Sequence, residues 1–124
     1  MILDSNIIIY AAAPDGDRLR RLIARRSPAV SAISYVEVLG YHRLQPREKA
    51  YFERFFAAAE ILPITAAVLD RAINLRQQRQ MGLADALIAA TALAYGRALV
   101  TRNTADFAWV ADLRMVDPFM PETE

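Results

Sequence analysis

The chain has 124 residues and a net charge of +1, and 55% of its residues are hydrophobic. A chain of this length predicts one domain, residues 1–124. The absence of cysteine and the single histidine exclude disulfides, thiol nucleophiles and multi-histidine zinc sites, so any metal would need oxygen ligands.

The apolar blocks are shorter than the ~20 residues that a membrane helix needs, and the N-terminus lacks the features of a signal peptide. We therefore expect a cytoplasmic protein with no membrane contact. Fourteen of the fifteen basic residues are arginine, and five of these crowd into nine positions, Arg18, Arg20, Arg21, Arg25 and Arg26. This run is either a solvated helix face or a phosphate-binding surface.

The first residues predict a strand followed by a helix. Ile2 and Leu3 form a minimal strand that ends at Asp4, and Ser5 and Asn6 can cap the next element. Asp4 therefore stands at the C-terminal end of a strand. There it serves either as a helix cap or as a functional carboxylate.

The next segment predicts a helix over Asp15–Arg26, a second strand over Ala29–Ser31, and a helix that Ser34 caps and that ends near Leu44. On that last helix, the predicted core-facing stripe includes the carboxylate of Glu37. The stripe comprises Ile33, Val36, Glu37, Gly40, Tyr41 and Leu44. Because an unpaired buried carboxylate is costly, Glu37 should meet an arginine or line a functional cleft.

Further elements follow to the C-terminus. We predict a helix over Pro46–Ala59, an edge strand over Ile61–Ile64 because it contains proline, a helix from Thr65 to about Gln80, and a last strand at Met115 and Val116.

The segment Gly82–Phe107 is the most informative part of the chain. It predicts a buried apolar helix over Leu83–Tyr95, a left-handed Gly96 and a strand over Ala98–Thr101. Asp85 lies in the first turn of that helix, where it either stabilises the helix dipole or joins a site.

Alternating strands and helices predict an α/β fold with a mostly parallel sheet. The C-terminal ends of parallel strands share one edge, where ligands bind. The polar residues expected at this edge are Asp4, Glu37, Asp85, Thr101, Asn103 and Asp106. Carboxylates about 4 Å apart repel by roughly 4 kcal/mol at an effective dielectric of 20. A divalent cation would relieve this repulsion and could activate water for attack on a phosphodiester.

Four motifs carry a family resemblance in the order LDSNIII, SAISYVEVLG, GLADALIAATAL and LVTRNTADF. Together they resemble the PIN-domain ribonucleases, specifically the VapC-type toxins, over essentially the whole chain. The resemblance implies a three-layer α/β/α domain with a mostly parallel sheet of four to five short strands. It also implies Mg²⁺- or Mn²⁺-dependent cleavage of single-stranded RNA to 5′-phosphate and 3′-hydroxyl ends, a homodimer, and a small antitoxin that occupies the active-site groove.

Matched position by position, Asp4 and Asp85 correspond to the family's principal metal-binding aspartates, and Glu37 to its acidic helix residue. Either Asp106 completes the acidic set or Asn103 lends its amide oxygen, and the number of metal ions, one or two, stays open. The residues expected to act in catalysis are Asp4, Glu37, Asp85 and Asp106. The residues expected to position the substrate are Asn6, Thr101 and Asn103.

Two other functions compete with this interpretation. An aspartyl-nucleophile phosphatase also begins with an aspartate after its first strand, but it requires a second acid where this chain has Asn6. A non-catalytic interaction module could use the same scaffold, with its acids paired to arginines. A Mg²⁺-dependent cleavage assay separates these possibilities.

Overall fold

A five-stranded sheet organises the protein, whose computed structural model describes residues 1–120. Within these residues the elements are β1 (Ile2–Leu3), α1 (Ser5–Ala12), α2 (Asp17–Arg26), β2 (Ala29–Ser31), α3 (Ala32–Leu39), α4 (Pro46–Ala58), β3 (Glu60–Leu62), α5 (Ala66–Gln78), α6 (Leu83–Ala94), β4 (Leu99–Val100), α7 (Thr104–Phe107) and β5 (Met115–Val116). The strand order is β3-β2-β1-β4-β5, and each neighbouring pair is parallel. The predicted parallel sheet is therefore confirmed.

The central strand β1 lies between β2 and β4. Ile2 is opposite Ala29 on one side and Leu99 on the other. Strand β3 is at an edge of the sheet, as predicted. It spans Glu60–Leu62 and not the predicted Ile61–Ile64, because Pro63 cannot donate to a neighbouring strand and lies just beyond its end. Because β1, β2 and β4 are adjacent and parallel, the residues that follow them are neighbours at the C-terminal ends of the strands, which we call the C-terminal edge of the sheet.

Alternate side chains of the short strands enter two separate cores. One core joins the first residues of the strands to α5 and α6, and its members include Ile2, Ala29, Leu99, Leu75 and Ile88. The other core joins the second residues to α1, α2 and α4, and its members include Leu3, Val30, Val100, Ile7, Leu19 and Phe52. Because both faces of the sheet are covered by helices, the three-layer α/β/α architecture is confirmed.

Helix α6 is the buried helix that its composition predicts. Every residue from Ala86 to Ala92 is buried. Small alanines let α6 pack closely against α5 through a shared apolar cluster that includes Val68, Ala72 and Ala90. Gly96 has φ +64°, so it provides the left-handed turn that returns the chain into β4.

Helix α3 differs from its prediction in both its bounds and its buried face. Ser31, not Ser34, caps it by accepting a hydrogen bond of 3.3 Å from the Ile33 amide, and the helix ends at Leu39. The predicted stripe was wrong, since Val36 is 63% exposed and Glu37 is exposed as well. The buried residues are Ser34 and Val38. A small polar serine faces inward because its hydroxyl is satisfied there, which an apolar pattern alone does not reveal.

Among residues 1–120, no helix combines the length and the apolar character needed to cross a membrane.

Candidate active site

Asp4 lies at the centre of the C-terminal edge of the sheet. It directly follows β1, its amide donates to the Val100 carbonyl at 2.9 Å, and only 3% of the residue is exposed. The Thr101 hydroxyl donates to Asp4 Oδ2 at 2.8 Å. Burial raises the pKa of Asp4, the hydrogen bond from Thr101 opposes that rise, and the negative charge of Glu37 adds to it. Asp4 is thus a desolvated carboxylate beside other acids.

Thr101 is fully buried and uses its hydroxyl twice. While it donates to Asp4, it also accepts the backbone amide of Asn103 at 3.1 Å. The polar turn after β4 is therefore tied to the carboxylate after β1. This contact holds the backbone of Arg102 and Asn103 beside the acidic edge, while the Asn103 side chain is exposed.

A buried pair of serines holds Glu37. The Ser5 hydroxyl donates to Glu37 Oε1 at 2.6 Å and lies 2.9 Å from the Ser34 hydroxyl. Ser5 has one proton, and a carboxylate can only accept, so we assign the Ser5 proton to Glu37 and the Ser34 proton to Ser5 Oγ. The pair therefore links α1 to α3 and fixes one carboxylate oxygen of Glu37.

Asp85, in the first turn of α6, faces the same edge. Although the residue is exposed, partial loss of hydration raises the pKa of its carboxyl, and the charges of Asp4, Glu37 and Asp106 raise it further. The carboxylates of Asp4, Glu37 and Asp106 thus all lie within electrostatic range of Asp85. Such repulsion is typical of a site that binds a positive charge.

The structure places the predicted site residues along one edge of the sheet, with different degrees of burial. Asp4 and Thr101 are buried, whereas Asn6, Glu37, Asp85, Asn103 and Asp106 are exposed. Within residues 1–120, no three acidic or histidine side chains are arranged to hold a metal ion by themselves. A metal at this edge would therefore need water or substrate oxygens in addition to protein ligands.

Ser5 and Ser34 were not assigned to the site from the sequence, where both were interpreted as helix caps. A signal for their role exists, because Ser34 lies three residues before Glu37 and therefore on the same face of α3. Ser5 follows Asp4 directly. Because the Glu37 carboxylate lies where α3 packs against α1, it needs hydrogen-bond donors nearby, and Ser5 and Ser34 are the hydroxyl residues close to it.

We expect Thr101→Val to lower stability by about 1–3 kcal/mol at neutral pH, because buried Asp4 loses its side-chain donor and the Asn103 amide loses its acceptor. The loss of the donor also raises the pKa of Asp4 further. The destabilisation should therefore shrink as the pH falls and Asp4 becomes protonated. Urea unfolding at several pH values measures this, with Thr101→Ser as the control that retains the hydroxyl. Equal stability of the Val and Ser variants would contradict the role of the hydroxyl.

Comparisons with known proteins agree with this architecture. The family model described as PIN domain matches residues 1–113. A protein of Shigella flexneri described as "tRNA(fMet)-specific endonuclease VapC" is 31% identical, and the match covers 94% of this chain and 96% of that protein.

Solved structures show the same fold. A toxin–antitoxin complex from Klebsiella pneumoniae matches with 27% identity and a TM-score of 0.75, covering 95% of this chain and 97% of that one. DNA-bound VapBC from Salmonella typhimurium matches with 22% identity and a TM-score of 0.83, covering 94% and 96% of the two chains. The chain therefore belongs to the PIN-domain family and, within it, to the VapC-type proteins.

Proposed function

We propose that this protein is an endoribonuclease that cleaves single-stranded RNA with the help of Mg²⁺ or Mn²⁺ and acts as the toxin of a toxin–antitoxin pair. The observation that carries this proposal is the set of carboxylates at the C-terminal edge of the sheet, where the Thr101 hydroxyl holds buried Asp4 and the Ser5 hydroxyl holds Glu37. Burial and the charges of Asp4, Glu37 and Asp106 also raise the pKa of Asp85 beside them. Membership of the PIN-domain family and similarity to a VapC endonuclease support a nuclease function for these carboxylates.

The donor set suits a small hard cation. Mg²⁺ in proteins is usually held by one or two carboxylates, with waters and substrate phosphates as its other ligands, so a cage of three protein ligands is not needed. Asp4 and Asp85 are the residues that would hold it. When bound, the cation would lower the pKa of a water molecule and neutralise charge on the phosphodiester.

The chain's own residues prepare this chemistry by fixing oxygen positions. Thr101 orients Asp4 through Oδ2, and Ser5 orients Glu37 through Oε1. Oε2 of Glu37 has no hydrogen-bond partner among residues 1–120, so it can accept a proton from water. Asp106 adds negative charge near Asp85. Asn6 and Asn103 are exposed amides that can donate hydrogen bonds to phosphate.

The partners proposed are an RNA, an antitoxin and a second copy of the chain. The name of the Shigella flexneri relative makes initiator tRNA the first substrate to test. Several solved relatives are described as toxin–antitoxin complexes, which supports a small cognate antitoxin for this protein. We further propose that one domain spans residues 1–124, that it forms a homodimer, and that it works in the cytoplasm.

Metal removal tests the proposed function. We expect purified protein to cleave single-stranded RNA and initiator tRNA in Mg²⁺, to lose that activity in excess EDTA, and to recover it when Mg²⁺ or Mn²⁺ is restored. The physical reason is that the carboxylates at this edge repel the substrate phosphate until a cation neutralises them. Gel analysis of end-labelled RNA measures the cleavage and identifies the new termini.

The control is the Glu37→Gln protein purified in parallel, which reveals contaminating nucleases. Cleavage that persists in EDTA, or that is equal in the Glu37→Gln protein, would contradict the proposal. RNA that stays intact under all conditions would favour the non-catalytic interaction module.

A further inference from the structure

An arginine–aromatic cluster lies beside the acidic edge and takes no part in the chemistry described above. We define it as Tyr10, Arg102 and Phe119. The Arg102 guanidinium lies 4.4 Å from the ring centroid of Phe119 and 5.7 Å from that of Tyr10. The two rings meet edge to face at 5.6 Å, and each residue is 38% exposed. Residues from one helix and two turns thus form one exposed cluster.

The position of the cluster follows from the fold. Arg102 directly follows Thr101, whose hydroxyl bonds Asp4 Oδ2, and the Asn103 amide closes the turn around it. Tyr10 belongs to α1, which begins right after Asp4, and Phe119 follows β5, the neighbour of β4 in the sheet. Arg102 thus lies at the C-terminal edge that holds the carboxylates, and Tyr10 and Phe119 contact it there.

The side-chain hydrogen-bonding groups of Arg102 have no partner among residues 1–120. Among residues 1–120, its guanidinium makes no ion pair and no side-chain hydrogen bond, whereas Arg20 and Arg97 pair with acids. Two aromatic rings restrict the guanidinium, so less conformational entropy is lost when it binds an anion. The cleft beside the cluster is also lined by Arg18, with Asp15 as its acidic member. Positive charge thus predominates next to an acidic centre.

We propose that Tyr10, Arg102 and Phe119 form a subsite for one unpaired nucleotide of the RNA substrate, next to the phosphodiester that is cleaved. Arg102 contacts the phosphate, and the base stacks on the exposed aromatic surface. Unpaired bases are recognised in this way because every base has a stacking face, while a base inside a duplex does not expose it. The inference rests on the proposed function, and it explains why single-stranded RNA would be preferred. Arg18, in the first turn of α2, adds a second positive charge to the cleft beside the cluster.

RNA binding by non-cleaving protein tests the subsite. In an Asp85→Asn background, fluorescence anisotropy measures the affinity for a short labelled single-stranded RNA of mixed sequence. We expect Arg102→Gln and Phe119→Ala each to weaken binding by about fivefold or more, since stacking and phosphate contacts are lost. Phe119→Tyr should retain most of the affinity. Affinity for a blunt duplex RNA should change less than affinity for the single strand.

The matched control is Arg97→Gln, which removes the same charge from the opposite end of β4, where Arg97 pairs with Glu60. In cleavage-competent protein, Arg102→Gln should raise KM with little change in kcat, whereas damage to the acidic site would lower kcat. Melting curves of each variant exclude loss of fold as the cause.

The outcomes separate the subsite from the proposed function. Suppose that wild-type protein cleaves RNA, but Arg102→Gln and Phe119→Ala bind it as tightly as Arg97→Gln does. The subsite is then refuted while the proposed nuclease function stands, and contact with a protein partner becomes the explanation for the exposed cluster. If neither the wild-type protein nor its Asp85→Asn variant binds RNA, both proposals are refuted.

Discussion

The Asp4→Asn protein should lose RNA cleavage by roughly a thousandfold or more, because the transition-state stabilisation supplied by a bound cation amounts to several kcal/mol. Asp4 is the most buried of the four carboxylates, and the Thr101 hydroxyl orients it. Asparagine keeps the shape of the side chain and can still accept the bond from Thr101 through its amide oxygen. It removes the charge that attracts the cation. Initial cleavage rates at saturating Mg²⁺ measure the loss.

The same substitution should stabilise the metal-free protein. The pKa of Asp4 is raised on folding, so the ionised carboxylate lowers stability at any pH above that raised value. Removing the charge should therefore raise the Tm of the metal-free protein at neutral pH. An inactive variant that is more stable than the wild type cannot owe its inactivity to misfolding. Thermal unfolding in EDTA provides the comparison.

Asp70→Asn is the matched control, since Asp70 is an exposed aspartate on α5 that belongs to no part of the acidic edge. It should leave both cleavage and Tm close to the wild-type values. An Asp4→Asn protein that cleaves RNA at a wild-type rate would remove Asp4 from the catalytic set. A variant that is inactive and also strongly destabilised would instead make Asp4 a structural residue.

Much of the fold was predictable because local signals and tertiary packing agree. Pro63 placed β3 at an edge, Gly96 ended α6, and the apolar composition of α6 predicted its burial. The alternation of strands with helices then implied a shared C-terminal edge. That rule of parallel sheets brought Asp4 and Thr101 together, although they are 97 positions apart in the sequence.

The face of α3 was not predictable, since its inward side carries a serine where the pattern suggested valine. Ser34 can be buried because its hydroxyl bonds the Ser5 hydroxyl, which in turn bonds Glu37. Ser5 lies 29 positions from Ser34 and 32 positions from Glu37 in the sequence. Periodicity in one helix contains no information about a hydroxyl on another. The Arg102 cluster escaped prediction for the same reason, because Tyr10 and Phe119 meet only in the folded chain.

Mg²⁺ should stabilise the wild-type protein by about 2.7 kcal/mol at a concentration a hundredfold above its Kd, or about 10 °C in Tm. The reason is that a cation bound to the folded state offsets the repulsion among Asp4, Glu37, Asp85 and Asp106. Thermal unfolding across a Mg²⁺ titration, at constant ionic strength, measures the effect. Asp85→Asn should abolish most of it, while Asp70→Asn should retain it.

The pH dependence of this stabilisation has a definite sign. Cation binding requires ionised carboxylates, and the pKa values of Asp4 and Asp85 are both raised above the ordinary aspartate value of 3.8. The effect of Mg²⁺ should be full above the raised values and should disappear as the pH falls through them, before ordinary surface aspartates are protonated. In the metal-free protein the sign is opposite, since protonation of these groups relieves repulsion and favours the folded state. A Mg²⁺ effect that persists unchanged down to pH values near 3.8 would place the cation away from Asp4 and Asp85.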